Sequence, residues 1–471
     1  MRKTASLQAV SALITIALTT AFSISATNQI EVGPPILLNS NGRTDIGNDV
    51  NPQVTTDGHG VWIAVWHSYE NLDGVAGVDS DIFLARSLDN GRTWTSPMLL
   101  NTNAKSDSGS DELPQITTDR KGHWVATWYS SEDLYDIAGD DTDIFVATSN
   151  DNGATWTPPS LLNTNGTTDR GDDAWPQITT DGLGIWIAVW WSRENLEGNT
   201  GKDVDIFTAT SLDNGVTWSK PKFLHTNATT DSGTDSEPRL TTDGSGNWIA
   251  VWRTSQSTEQ GVESDTDIVI VRSSDNGTHW TEPTLLNAYG YTDTGDDNYP
   301  VVETDGAGNW VAVWRSDENI GGVAGTDRDI IVATSNDDGL TWSSPVLLNS
   351  NGASDSGKDQ IPQVTTDKAG NWIAVWWSDD DLGGEAGTDN DIFMALSRDN
   401  GATWSHPSLL NTTGSSDTGG DFVPQLTTDG KGNWIAIWDS EDDFGETVGS
   451  DADIFVASFF IAIEKDDSVP K

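Results

Sequence analysis

Two acidic patterns recur seven times along the chain, and their spacing suits a hard cation. The first is Asp-x-Gly-x-Asp, at Asp45 and Asp49, Asp107 and Asp111, Asp169 and Asp173, Asp231 and Asp235, Asp293 and Asp297, Asp355 and Asp359, and Asp417 and Asp421. The second is Asp-x-Asp, at Asp79 and Asp81, Asp141 and Asp143, Asp203 and Asp205, Asp265 and Asp267, Asp327 and Asp329, Asp389 and Asp391, and Asp451 and Asp453. Carboxylates gathered around a glycine turn can aim several oxygens at one point, which Ca²⁺ with its roughly 6 to 8 oxygen ligands requires. The expectation is one Ca²⁺ per repeat or per junction between repeats. The other reading is that these Asp residues cap turns and bind loop backbone. The residues leave both open, and a net charge of −49 tilts the balance toward metal.

A second group stands out because the copies disagree there. The position before the first predicted strand reads Asn51, Leu113, Trp175, Glu237, Tyr299, Ile361 and Val423; the one after the second reads His67, Tyr129, Trp191, Arg253, Arg315, Trp377 and Asp439. Both positions are expected to open onto one mouth near a central axis. Copy four departs furthest, with Glu237 and Arg239 flanking its Pro, Arg253 ending its second strand, and a loop from Thr254 to Ser264 that lacks the usual Asn-Leu-x-Gly text. Copy five adds Tyr299 and Arg315. Tyr299, Glu237, Arg239, Arg253 and Arg315 thus stand out as one candidate set on adjacent copies, the bland alternative being ion pairs between copies with Tyr filling the mouth. Trp175, Trp191, Tyr129, His67 and Trp377 are the candidate ligand-binding set, where indoles would stack on sugar rings or simply pack.

These residues must be held by a repeated element, and the period is visible in one tryptophan: Trp62, Trp124, Trp186, Trp248, Trp310, Trp372 and Trp434, always 62 residues apart. Within the first copy, Gln53 to Thr56 is β-prone and Asp57 to Gly60 is turn chemistry. Trp62 to Trp66 alternates with apolar residues on both sides, so the strand is sandwiched. Asp81 to Ala85 follows after a polar loop, then a tight turn to Trp94 and a fourth strand at Met98 to Asn101. Four-stranded meanders with two apolar faces predict an all-β, seven-bladed β-propeller. Ile36 to Asn39 is a fourth strand with no blade before it, and the last copy stops after its third strand at Asp453 to Ser458. The former is expected to complete the latter and seal the ring.

The turn Ser-x-Asp-x-Gly-x-Thr-Trp occurs at Ser87 to Trp94, Ser149 to Trp156, Ser211 to Trp218, Ser335 to Trp342 and Ser397 to Trp404, with His279 replacing Thr in the variant at Ser273 to Trp280. In these Asp boxes the chain resembles the Asp-box (BNR repeat) β-propellers of the sialidase-like superfamily. The resemblance implies that the Asp box is a structural turn on the face away from an active site, its carboxylate binding backbone N–H groups and its Trp plugging the blade. It also implies a catalytic role for Tyr299, Glu237, Arg239, Arg253 and Arg315, the residue types a sialidase-like site uses: arginines clamping an acidic sugar's carboxylate, and Glu237 activating a Tyr299 nucleophile. Two departures stand against inheriting the activity: sialidases usually have six blades, and their Phe/Tyr-Arg-Ile-Pro motif is missing here.

Composition bounds the rest. Arg2 and Lys3 precede an apolar run that ends in small residues at Ser23 to Ala26, which reads as a signal peptide over 1–26. Residues 27–463 are expected to form a single propeller and 464–471 a polar tail. The protein is expected to be exported to a periplasmic, cell-surface or extracellular location, with no membrane span. Cysteine is absent and Trp numbers 23, so packing must supply cohesion. The acidity argues against nucleic acid and anionic membrane as partners. The six histidines show no paired spacing of the zinc type, and the glycines sit in turns without a nucleotide-binding context. The expected function is a binding module for a glycan or other extracellular polymer, with Ca²⁺; the alternatives are a sialidase-like exo-glycoside hydrolase and a structural surface or matrix protein. Oligomeric state is not readable.

Overall fold

The computed structural model describes residues 30–462 apart from 135–136, 195, 197–202, 226–227, 229–232, 256–264, 288–293, 323, 326, 444–447 and 450. The expected leader and the whole of the expected tail, Asp231, Asp293 and most of the loop from Thr254 to Ser264 lie outside the described residues. Among the described residues no helix is long and apolar enough to cross a membrane.

The architecture is a seven-bladed β-propeller of four-stranded antiparallel sheets. The first blade comprises Asp49–Thr56, Trp62–Ser68, Asp81–Ser87 and Met98–Leu99, and the next five blades follow the same plan. The seventh is Asp421–Thr428, Asn433–Ser440 and Asp453–Phe460, completed by Ile36–Leu37 from the amino end. Ile36 pairs with Val456 and Leu37 with Phe455. Leu38 N–H donates to Ile454 O at 2.7 Å, and Ile454 N–H donates to Asn39 Oδ1 at 3.0 Å. The innermost strands pack against one another all the way round, the first against the seventh included.

Alternation on the second strand explains how blades adhere. Trp62, Ala64 and Trp66 pack against Ile435 and Ile437 of blade seven. Ile63 and Val65, on the other face, pack against Trp124, Ala126 and Trp128 of blade two. Every blade thus offers a tryptophan face one way and an aliphatic face the other, and each buried indole withdraws roughly 150–250 Å² from water. The Asp-box glycine is wedged into this contact: at Gly91, with φ of 75°, a Cβ would lie 1.9 Å from Ile435 Cδ1.

Strand boundaries differ from expectation, Met98–Leu99 and Ile36–Leu37 being two residues shorter and Trp62–Ser68, Asp81–Ser87 and Asp453–Phe460 two residues longer. The innermost strand starts at Asp49 rather than Gln53, because a β-bulge between Val50 and Gln53 carries the chain past Pro52. Asn51 in that bulge has φ of 53°, and all six equivalents, Ile361 and Val423 included, are also left-handed. Proline is tolerated there because this strand is the edge facing the axis.

Candidate functional site

Each blade has two short turns at one end and two long loops at the other, so the ring has two chemically distinct faces. On the short-turn face the Asp boxes are closed turns. Asp89 Oδ1 accepts from Thr93 N–H at 2.9 Å and from Ser87 Oγ at 2.9 Å, and its Oδ2 accepts from Thr93 Oγ1 at 2.7 Å. These donors hold the Asp89 carboxyl below its ordinary value, and the same set brings Asp151 to about 2.

On the long-loop face, six junctions between successive blades are each stapled by an asparagine two residues past the outermost strand. Asn101 Oδ1 accepts from Ile82 N–H at 3.1 Å, which orients the amide; its Nδ2 donates to Asp81 of its own blade and Asp111 of the next, both at 2.6 Å. Asn39 does the same between blades seven and one, with Asp453 at 2.6 Å and Asp49 at 2.5 Å. The two Asp residues of Asp-x-Gly-x-Asp therefore part company. Asp111 is sunk into the blade end, while Asp107 swings against Asp79 and Asp81 of the preceding copy.

Several of these buried groups could hold a metal ion. Asp79, Asp81 and Asp107 each bring an oxygen within 4.8 Å of the others, as do Asp141, Asp143 and Asp169, Asp327, Asp329 and Asp355, and Asp45, Asp49 and Asp453. At the junction of blades one and two, Asp79 Oδ2, Asp81 Oδ2, Asp107 Oδ1 and Asn103 Oδ1 are all buried without a hydrogen-bond donor in the protein. The same four roles go unmet at Asp141, Asp143, Asp169 and Asn165. An oxygen-only set recurring without donors fits a hard dication and fits poorly with turn capping alone. At the junction of blades seven and one a Cβ on Gly42 would stand 2.0 Å from Asp453 Oδ1, whereas the equivalent loop between blades one and two carries Ala104, which is buried. Burial first, then repulsion between neighbouring carboxylates, pushes Asp45, Asp107, Asp169 and Asp355 up to about 7.

The mouth residues divide into those that meet and those that do not. Asn51, Leu113, Trp175, Tyr299, Ile361 and Val423 line the axial opening with Arg239, whose guanidinium is pushed down to about 10 by burial. Trp175 of blade three stacks on Tyr299 of blade five, ring centroids 6.4 Å apart. Glu237, buried, accepts from Tyr299 N–H at 2.6 Å and lies 3.7 Å from Arg253 Nε. Arg315 sits over the Tyr299 ring at 5.6 Å. All five residues of the expected catalytic set therefore converge. Their wiring departs from a tyrosine nucleophile, because Glu237 holds the backbone of Tyr299, and burial followed by the Glu237 charge raises the Tyr299 phenol rather than lowering it.

Beside this cluster a cleft of about 220 Å³ is lined by Trp175, Trp191, Arg193, Glu237 and Arg253, among others. Arg253 is braced by Ser236 Oγ at 3.0 Å and Asn298 Oδ1 at 2.8 Å, and Arg193 lies 5.5 Å from the centroid of the Trp191 ring. His67, Tyr129 and Trp377 lie elsewhere. His67 is buried, which pushes its imidazole down to about 4. Tyr129 donates to Glu112, and Trp377 meets Phe422 edge-on at 5.4 Å. These second-strand positions fall inside the strand, one residue before its end; His67 is buried there, and Tyr129 and Trp377 are half-buried.

Sequence reasoning passed over two residues that copy-by-copy alignment could have flagged. His225 stands where the other six copies have Asn39, Asn101, Asn163, Asn287, Asn349 and Asn411. Glu303 replaces a threonine in the ring of Thr pairs around the lower axial channel; burial raises its carboxyl to about 7.

A family model described as BNR repeat-like domain matches residues 62–294 and 138–361, and the chain belongs to that family. No curated protein sequence matches it. Among solved structures, an ulvan lyase of polysaccharide lyase family PL25 is similar at TM-score 0.51 and 13% identity, over 90% of this chain and 96% of that one. A protein of unknown function from Dyadobacter fermentans is similar at 0.49 and 13%, over 92% and 99%. A Hadza microbial sialidase is similar at 0.44 and 15%, over 85% and 76%. At these identities the likeness is one of fold.

Proposed function

We propose that this BNR repeat-like propeller is an exported binding module for an acidic glycan or similar extracellular polymer, with Ca²⁺ at its blade junctions. The signal-like leader, Arg2 to Ala26, supports export. One observation carries the ligand reading: the cleft where Trp175 and Trp191 lie with Arg193 and Arg253, at positions where the copies disagree. Indole faces suit sugar rings, and guanidinium groups suit carboxylates. The fold shared with a polysaccharide lyase is compatible with a carbohydrate partner.

Affinity electrophoresis and calorimetry with polyuronates and uncharged polysaccharides test this. Arg253→Met and Trp191→Ala are each expected to weaken polyuronate binding about tenfold or more, as loss of about 1.4 kcal/mol requires. Equal binding by the variants, or equal binding of neutral polymers, removes the reading. A second reading, a sialidase-like hydrolase, draws on the convergence of Tyr299, Glu237 and the three arginines. Turnover of a fluorogenic sialoside, abolished by Tyr299→Phe, would establish it.

For the junctions, the oxygen-only donor sets support Ca²⁺. Asp79, Asp81, Asp107 and Asn103 would hold it between blades one and two, where it would offset mutual repulsion and tie adjacent blades together.

A further inference from the structure

The junction between blades three and four departs from the asparagine staple in a way that changes its chemistry. In the other six copies the amide donates to two carboxylates at short range; the bonds are 2.6 Å at Asn163, and 2.7 and 2.6 Å at Asn287. At His225 the corresponding contacts open, with Nε2 3.3 Å from Asp235 Oδ2 and 3.7 Å from Asp205 Oδ1. An imidazole nitrogen carries one proton or one lone pair, so it cannot repeat what an NH₂ group does for two acceptors.

We propose that Asp205, His225 and Asp235 form a binding site for a transition-metal dication of the Zn²⁺ class, distinct from the hard-cation sites of the other junctions. The three ligand atoms lie within 4.8 Å of one another. Zinc bonds of about 2.0–2.1 Å at tetrahedral angles place ligand atoms roughly 3.3–3.5 Å apart, close to the spacing seen here. The side chains of His225, Asp205 and Asp235 are 0%, 2% and 4% exposed, so a dication would neutralise two buried carboxylates beside a neutral imidazole. Asp203, two residues before Asp205, has both carboxylate oxygens buried without a hydrogen-bond partner, so further acid lies next along the chain from the three ligands. Imidazole nitrogen favours zinc, copper or cobalt over calcium, which shifts selectivity at this junction alone. The His225 ring packs on Trp252, centroids 5.3 Å apart, which holds its plane in place.

The site does not rest on Ca²⁺ elsewhere, and the experiment keeps the two apart. Metal-free protein is titrated with Co²⁺ in excess Ca²⁺, reading the visible absorption of four-coordinate cobalt. One equivalent is expected in the wild type, displaced by Zn²⁺, and none in His225→Asn. X-ray absorption at the zinc edge of wild-type protein should show one imidazole in a nitrogen/oxygen shell, a readout that needs no variant to fold. An equal cobalt signal in His225→Asn, no cobalt uptake by the wild type, or a zinc shell without imidazole overturns the proposal. A protonated His225 merely paired with two carboxylates would give the last two results. Whether Ca²⁺ raises the melting temperature is read separately and does not enter this outcome.

Discussion

Aspartate serves opposite purposes on the two faces of this ring, within one 62-residue repeat. In the Asp boxes both carboxylate oxygens meet donors from their own turn, and Asp151, Asp275 and Asp337 are held down at about 2. At the blade junctions carboxylates face one another under cover, and Asp107 and Asp169 are driven up to about 7. The difference lies in what the loop supplies. A turn that wraps its own side chain completes the carboxylate locally; a loop that delivers acids from two blades to one point leaves charge that needs a cation or protons.

The comparison breaks most readily at the junctions. Removal of divalent cations with EDTA is expected to lower the melting temperature, and Ca²⁺ to restore it, since a ligand at a hundred times its Kd adds about 2.7 kcal/mol per site. An unchanged scan would turn the junction acids back into turn caps. Next in size, Asn101→Ala should destabilise by more than about 1–3 kcal/mol, because two buried carboxylates lose their shared donor. Urea denaturation measures it, and a cost no larger than that of Ser87→Ala in the neighbouring Asp box would erase the contrast.

Acid titration sharpens the comparison further. Junction groups with folded pKa values near 7, against 3.8 ordinarily, leave the cation-free folded chain holding more protons than the unfolded one between about pH 4 and 7. Stability without cations should therefore fall as pH rises through that window, and saturating Ca²⁺ should flatten the fall. The depressed Asp-box groups act in the opposite sense: what they contribute is present above about pH 4 and fades as pH drops toward 2. The smallest effect is expected for Thr93→Val, which removes one exposed hydroxyl donor from Asp89 and should shift stability by less than about 1 kcal/mol.

Much of the fold was legible because it repeats. Period, strand alternation, the Asp-box turn and closure by Ile36 and Leu37 each follow from residue types at constant offsets. The bulge at Asn51 was not legible, because nothing in Ile361 or Val423 announces a left-handed backbone that β-branched residues avoid. Of the site, the convergence of Glu237, Arg253, Tyr299 and Arg315 could be anticipated from disagreement among copies. The regrouping of Asp107 with Asp79 and Asp81 could not, because it depends on which blade each loop leans toward. His225 escaped notice for a related reason. Histidine-to-histidine spacing is uninformative when the partners are Asp205 and Asp235, twenty residues before and ten after.

The borrowed strand at Ile36 and Leu37 also sets a schedule. A ribosome adding about 5–20 residues per second needs tens of seconds between releasing Leu37 and making its partner Phe455. Throughout that interval six blades can stack while the amino-terminal ribbon and the open flank of blade one stay unshielded. Aggregation during synthesis, or capture by a holdase, should therefore target that flank.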